Sequence, residues 1–275
     1  MNGLRNLGNT CYLNAGLQML LNNIDFSNII LKVESNDIFI KQFQEFIRLY
    51  FINKGKTLVP KFIKNYFETN NIFLGYEQQD SEEFITKLLT VINEKIGDNI
   101  IDNVFKIMIK TTIKCKVIGC LKKKFNSENS IKLMFEINSK CNNLDDCYRL
   151  FKISEKLDKD NMVCCENCHK KTIASRRAEV EEWPNNLMIV LKRFKQHRGL
   201  FQKNSKEIEI PLEWRKGYKL KGFVCHSGSI HGGHYVYVGN INNDWYLYDD
   251  NFITNLNINT LEHLKNNAYI YYYTK

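Results

Sequence analysis

GLRNLGNTCYLNAGLQ, residues 3–18, is the stretch from which the rest of the chain can be read. From Cys11 onward Leu13, Leu17, Leu20 and Leu21 recur at helical spacing, which predicts a helix with one buried stripe and Cys11 at its start. A thiol there meets the positive end of the helix dipole and unpaired N–H groups, so its pKa is expected to fall. Read alone, the same residue is more often a small buried thiol, and other residues must overturn that reading. Asn6, five residues before Cys11, has a side-chain N–H that suits a developing oxyanion. Turn chemistry explains Asn6 and Asn9 equally well, and Gly3 and Gly8 let the backbone turn tightly here.

Working outward, helical periodicity continues around Phe39 to Tyr50, near Phe62 to Phe67, and from Ser81 to Ile96 with Phe84, Leu88, Ile92 and Ile96 on one side. After Asp102 the pattern becomes short alternating segments: Lys110 to Val117, Ile131 to Ile137 and Leu187 to Phe194. The last sixty residues read as strands throughout, at Tyr218 to His226, His234 to Gly239, Trp245 to Asp249 and Tyr269 to Thr274. Helices followed by strands predict an α+β architecture with a groove between a helical and a sheet layer. No internal repeat is present.

The far end of the chain supplies partners for the thiol. In HSGSIHGGHYVYVGN, residues 226–240, two glycines precede His234 and a strand follows it, and WYLYDD, residues 245–250, places Asp249 on the next strand. A carboxylate there holds the imidazole tautomer and stabilises the imidazolium. His231 and His234, three residues apart, are alternatively metal ligands. Asp80 and Glu83 form an Asp-x-x-Glu capping box that opens the third helix. Cys165 and Cys168 in CENC have zinc-knuckle spacing, with Cys115 and Cys120 in CKVIGC about fifty residues earlier.

These segments together resemble the ubiquitin-specific protease family, whose cysteine and histidine boxes read much like residues 3–18 and 226–240. The likeness continues through GYEQQDSEEF at 75–84, LMIVLKRF at 187–194 and AYIYYY at 268–273. The resemblance implies a papain-like fold with a helical thumb at 1–101, β fingers at 102–186 and a β palm at 187–275, together one catalytic domain. It implies Cys11 as nucleophile, His234 as general base, Asp249 as its partner and Asn6 as oxyanion donor, with Asp250 a second acid at the site. Asp80 would bind the arginine before the terminal glycines of ubiquitin, with Gln79, Gly233 and Tyr269 along the same groove. Capping and tail binding then compete for the Asp80 carboxylate. The fingers of relatives often hold zinc on two CxxC pairs, whereas CKVIGC has four intervening residues, so zinc and packed thiols both stand, with Cys164 and His169 as further donors. Gly119 beside Cys120 lets the widened loop bulge. No cofactor is expected for catalysis, and Cys141, Cys147 and Cys164 have no assigned role.

Composition narrows the remaining classes. The 275 residues carry 39 Lys and Arg against 30 Asp and Glu, a formal charge of +9, and the basic runs at Lys122 to Lys124, Lys170 to Arg177 and Lys192 to Arg198 read as solvated strand faces. A zinc-dependent nucleic-acid binder would share that charge but leave both boxes unexplained. A ubiquitin-binding module without catalysis, or a protease for a ubiquitin-like modifier, are the nearer alternatives. Nine cysteines and no secretory pattern at the start point to a reducing location, cytoplasmic or nuclear, and no apolar run reaches the ~20 residues of a membrane span. The cysteine box at residue 3 and the final strand at the end read as a bare catalytic core. Ubiquitin and ubiquitinated proteins are the expected partners.

Overall fold

Helix α1, Cys11–Leu21, is buried along all 11 of its residues. That corrects the one-sided stripe: α1 packs against another helix of the same lobe and against the strands of the main sheet, leaving no face for solvent. Its polar Gln18 is satisfied inside, donating to the Asn2 carbonyl at 2.8 Å and accepting from the Tyr50 hydroxyl at 2.6 Å. The molecule is a computed structural model describing residues 1–97, 99–197, 200–229 and 232–275. Arg198 and His231, both singled out above, lie outside the described residues.

The helical lobe continues with α2 (Ile24–Lys32), α3 (Ile38–Ile52), α4 (Lys61–Thr69), α5 (Ser81–Ile96) and α6 (Ile100–Phe105). Short strands β1 (Gly3–Leu4) and β2 (Thr57–Leu58) pair in parallel beside it. Next come β3 (Ile107–Cys115), β4 (Lys123–Ser130), β5 (Leu133–Phe135), α7 (Leu144–Phe151), β6 (Glu155–Leu157), β7 (Val163–Cys165), β8 (Lys170–Thr172) and β9 (Ala174–Glu182). The remainder is β10 (Asn186–Leu191), β11 (Phe194–His197), β12 (Leu200–Lys203), β13 (Glu213–Trp214), β14 (Tyr218–Ser229), β15 (Gly232–Ile241), β16 (Asp244–Asp249), β17 (Phe252–Asn255), α8 (Ile258–Asn267) and β18 (Ile270–Thr274).

The main sheet runs β17-β16-β15-β14-β18-β10-β5, with β13 on β14. It is buried on both faces, because alternate residues of one strand enter different cores. Ile270 and Tyr272 of β18 join the helical lobe, while Tyr271 and Tyr273 join Leu187, Ile189, Phe223 and Trp214 on the opposite side. A second sheet, β4-β3-β9-β6, and the β7–β8 hairpin project as a separate element. β5 and α7 do not belong to that projection: β5 pairs with β10, and Leu144, Cys147 and Tyr148 of α7 enter the core of the main sheet.

Two readings of the sequence need correction here. The last sixty residues are not all strand, since α8 interrupts them with Asn257 capping at Thr260 N. The run from Lys192 is not wholly a solvated face, because Arg193 is 1% exposed. Its guanidinium donates to the carbonyls of Ala268, Asn204, Lys206 and Asn266 at 2.6, 3.2, 2.8 and 3.0 Å, which ties the segment just past β10 to residues 204–206 and to the end of α8. Lys192 and Lys195 on either side do reach out, both to Glu136.

Candidate active site

Cys11 begins α1 and is 3% exposed. Burial raises its pKa, the nearby Asp250 carboxylate adds to that, and backbone N–H groups at Tyr235, Tyr12 and Cys11 itself act the other way. The expected fall is therefore overturned: the helix start favours thiolate, but the low-dielectric surroundings outweigh it. The resting group is a thiol that needs a base.

The β15–β16 hairpin brings the other residues to it. Its two-residue loop places Asn242 and Asn243 at φ 53° and 72°, the primed turn that matches strand twist. The ladder pairs Tyr237 with Tyr248, and one step further sets Asp249 across from Val236, diagonal to His234 on one face. His234 Nε2 lies 2.6 Å from Asp249 Oδ1. That contact fixes the Nε2–H tautomer and leaves Nδ1 as the basic nitrogen. The next residue, Tyr235, is the one whose backbone N–H faces the Cys11 thiol.

Asn6 serves turn and site at once. Its Oδ1 accepts from Gly8 N and Thr10 N at 3.0 and 3.1 Å, which closes the loop before α1. Its Nδ2 donates to Asp250 Oδ2 at 2.8 Å, so one N–H of the amide is committed and the second has no partner among the described residues. Asp250 sits at φ 50° in the left-handed region, and its carbonyl accepts from Leu4 N at 2.8 Å. His234, Asp249 and Asp250 hold their polar atoms within 4.8 Å of one another.

Asp80 is held at both oxygens. Oδ1 accepts from Glu82 N at 2.7 Å and Glu83 N at 3.3 Å, capping α5, and the Tyr269 hydroxyl lies 3.1 Å from Oδ2 and 3.3 Å from Oδ1. The reciprocal half of the capping box is absent: Glu83 accepts nothing from the cap residue among the described residues, and the box is complete instead at Asn143 and Asp146 of α7. Burial raises the Asp80 pKa. Tyr269, 6% exposed, sets its ring edge against Phe194 at 5.1 Å. Gln78 rather than Gln79 spans the groove, donating to Gly233 O at 2.8 Å and accepting from Gly233 N at 2.7 Å. Gly233 tolerates no side chain, since a Cβ would meet His226 Nε2 at 2.2 Å and Ser227 O at 2.4 Å. His226 beneath it is brought down to about 4, by burial first and then by Lys203 and His234.

The four cysteines of the projecting element converge. Cys115 closes β3, Cys120 follows a turn in which Gly119 takes φ 79°, and Cys165 and Cys168 flank the β7–β8 turn. Sγ separations are 4.0 Å for Cys115 to Cys168 and 3.8 Å for Cys120 to Cys165, and all four sulfurs fall within 4.8 Å. Zinc with Zn–S bonds of about 2.3 Å needs neighbouring sulfurs about 3.8 Å apart, so the four thiols fit a closed structural zinc site. The Thr172 hydroxyl and the backbone at Val117 bring Cys115 down to about 6, and Asn167 Nδ2 lies 3.6 Å from Cys120 Sγ. Cys164 is exposed and His169 lies outside this set. Cys141 and Cys147 are buried together in the core behind the main sheet, where burial and the adjacent thiol push Cys147 up to about 12.

Asn14 went unread in the sequence, although a polar residue in a mostly apolar helix was a usable signal; Gln78 was read only together with Gln79 in the segment 75–84, and nothing in the sequence separates the two.

Comparison with known proteins agrees with this geometry. The chain is 26% identical to ubiquitin carboxyl-terminal hydrolase Usp2 of Drosophila melanogaster, over 99% of this chain and 34% of that protein. It is 27% identical to the probable ubiquitin carboxyl-terminal hydrolase 16 of Schizosaccharomyces pombe, over 99% and 66%, and 24% identical to ubiquitin carboxyl-terminal hydrolase 21 of Homo sapiens, over 98% and 61%. The chain thus spans between about a third and two thirds of the length of these relatives. In fold it matches a solved chain of the SAGA DUB module Ubp8/Sgf11/Sus1/Sgf73 bound to monoubiquitin, with TM-score 0.80 and 22% identity over 100% of this chain and 69% of that one. The family model for ubiquitin carboxyl-terminal hydrolase matches residues 2–273, and the chain belongs to that family.

Proposed function

We propose that this chain is a thiol-dependent ubiquitin hydrolase that cleaves the isopeptide bond after the C-terminal glycine of ubiquitin. The observation that carries the reading is the Asp249–His234 pair, which leaves Nδ1 as the free base on the strand packed against the Cys11 helix. The Cys11 proton passes to Nδ1 as the sulfur attacks the glycine carbonyl. The oxyanion takes the uncommitted N–H of Asn6. Asp249 stabilises the imidazolium until it protonates the departing lysine amine, and water, deprotonated by the same imidazole, then releases the thioester.

The substrate tail lies on the Asp80 side. Asp80 is a carboxylate with raised pKa and with no ion pair among the described residues, an arrangement that gains from an incoming guanidinium. Oδ1 carries the helix cap and Oδ2 does not, so Oδ2 is the oxygen we assign to the tail. We read the helical lobe as thumb, the main sheet as palm and the four-stranded sheet as fingers, one catalytic unit with ubiquitinated proteins as substrates. The nine free thiols suit a reducing, intracellular compartment.

Incubation with lysine-linked diubiquitin tests the activity. Monoubiquitin is expected from the parent chain and none from Cys11→Ala, which still binds ubiquitin. Turnover by Cys11→Ala, or by neither protein, refutes the assignment.

A further inference from the structure

We infer that Asn14 is a positioning residue for the reaction: it holds Asp250 so that Asp250 aims Asn6 at the oxyanion. This rests on the proposed role of Asn6 as oxyanion donor. Asn14 lies one turn into α1, 2% exposed, with its Nδ2 2.7 Å from Asp250 Oδ1 and 3.3 Å from the Leu4 carbonyl. Both neighbours are acceptors, so the amide orientation is unambiguous. Asp250 is gripped by its two oxygens in opposite directions, Oδ1 by Asn14 and Oδ2 by Asn6. The carboxylate is thereby a strut between a helix buried along its whole length and an exposed loop.

The other end of Asn14 shows what this arrangement costs. Its Oδ1 is buried and has no hydrogen-bond partner among the described residues. A buried acceptor left unmatched is destabilising, and a purely structural position would be better filled by an apolar side chain of similar size. Asn14 therefore makes sense as a donor to Asp250. The backbone agrees: Asp250 is held at φ 50° while its carbonyl accepts from Leu4 N, next to the Leu4 carbonyl that Asn14 also contacts. Asn14 joins the cysteine box to the acid pair of the β15–β16 hairpin through one amide.

Asn14→Leu tests this, read by turnover of ubiquitin carrying a C-terminal fluorogenic amide, by inhibition with ubiquitin C-terminal aldehyde, and by thermal melting. The expected result is a kcat lowered by roughly tenfold, a part of the 10²–10³ that losing an oxyanion donor costs. KM should stay unchanged, Tm should be unchanged or higher, and aldehyde affinity should fall with kcat. Combined with Asn6→Ala, Asn14→Leu should add nothing further, because both act through one N–H. Losses that multiply in the double variant, or a kcat that falls only with the folded fraction, overturn the role of Asn14 and leave Asn6 standing. A normal kcat in Asn6→Ala alone overturns the oxyanion reading itself, and this inference with it. Should Asn14→Leu not fold, Asp250→Asn breaks the same link from the partly exposed side and must show the same non-additivity with Asn6→Ala.

Discussion

Asp80 caps α5 and is also the residue to which the proposed function assigns the ubiquitin tail. Oδ1 holds two backbone N–H groups at the start of α5, and the Tyr269 hydroxyl reaches both oxygens, Oδ2 more closely. Asp80→Lys removes the cap and reverses the charge offered to an arginine in the tail, so KM for ubiquitin should rise sharply while unfolding free energy drops by about 0.5–2 kcal/mol. Steady-state kinetics beside a denaturant melt separate the two effects; an unchanged KM with a lowered stability would leave capping as the whole role. At this scale the candidate residues Cys11, His234, Asp249 and Asn6 came from the family resemblance, residue type and spacing alone leaving alternatives open, and the structure puts His234 beside Asp249. What could not be read was the state of the thiol, because the pKa of Cys11 depends on burial by residues distant in sequence. The grip of Gln78 on Gly233 was equally hidden, since two neighbouring glutamines differ only in which one the loop turns inward.

Among the elements, those with strong local signals were found and those shaped by tertiary context were not. α5 begins at Ser81 and ends at Ile96 as its periodicity and cap predict. α7 and α8 were missed although each has an asparagine cap, because short helices amid alternating segments look like strands in composition. β10 was drawn too long because nothing local tells that Arg193 turns inward to four carbonyls. The projecting element carries a local device of its own. Its cysteine cluster stands as a small separate core of Cys115, Cys120 and Cys165 with Cys168 against it, so a bound zinc would supply cohesion that apolar packing there does not. Chelation should lower Tm before it lowers kcat per folded molecule, and elemental analysis of protein purified without chelator should find about one zinc per chain. Absence of metal in fully active protein would show the four thiols to be packing only.

On the scale of the whole molecule, the site exists only because a sheet buried on both faces carries His234 and Asp249 to a helix from the other end of the chain. No helix among the described residues is long and apolar enough to cross a membrane. The global arrangement also sets up a direct contest among the nine cysteines. Cys164 is exposed while Cys11 is 3% exposed, so an unguided electrophile should favour Cys164. A guided one should not. The decisive measurement is therefore incubation with ubiquitin bearing a C-terminal electrophile, followed by proteolysis and mass spectrometry of every cysteine peptide. The account predicts a single adduct on Cys11, absent when ubiquitin lacks the electrophile and slowed by Asp80→Lys; no adduct, or labelling that follows exposure and falls on Cys164, would contradict it.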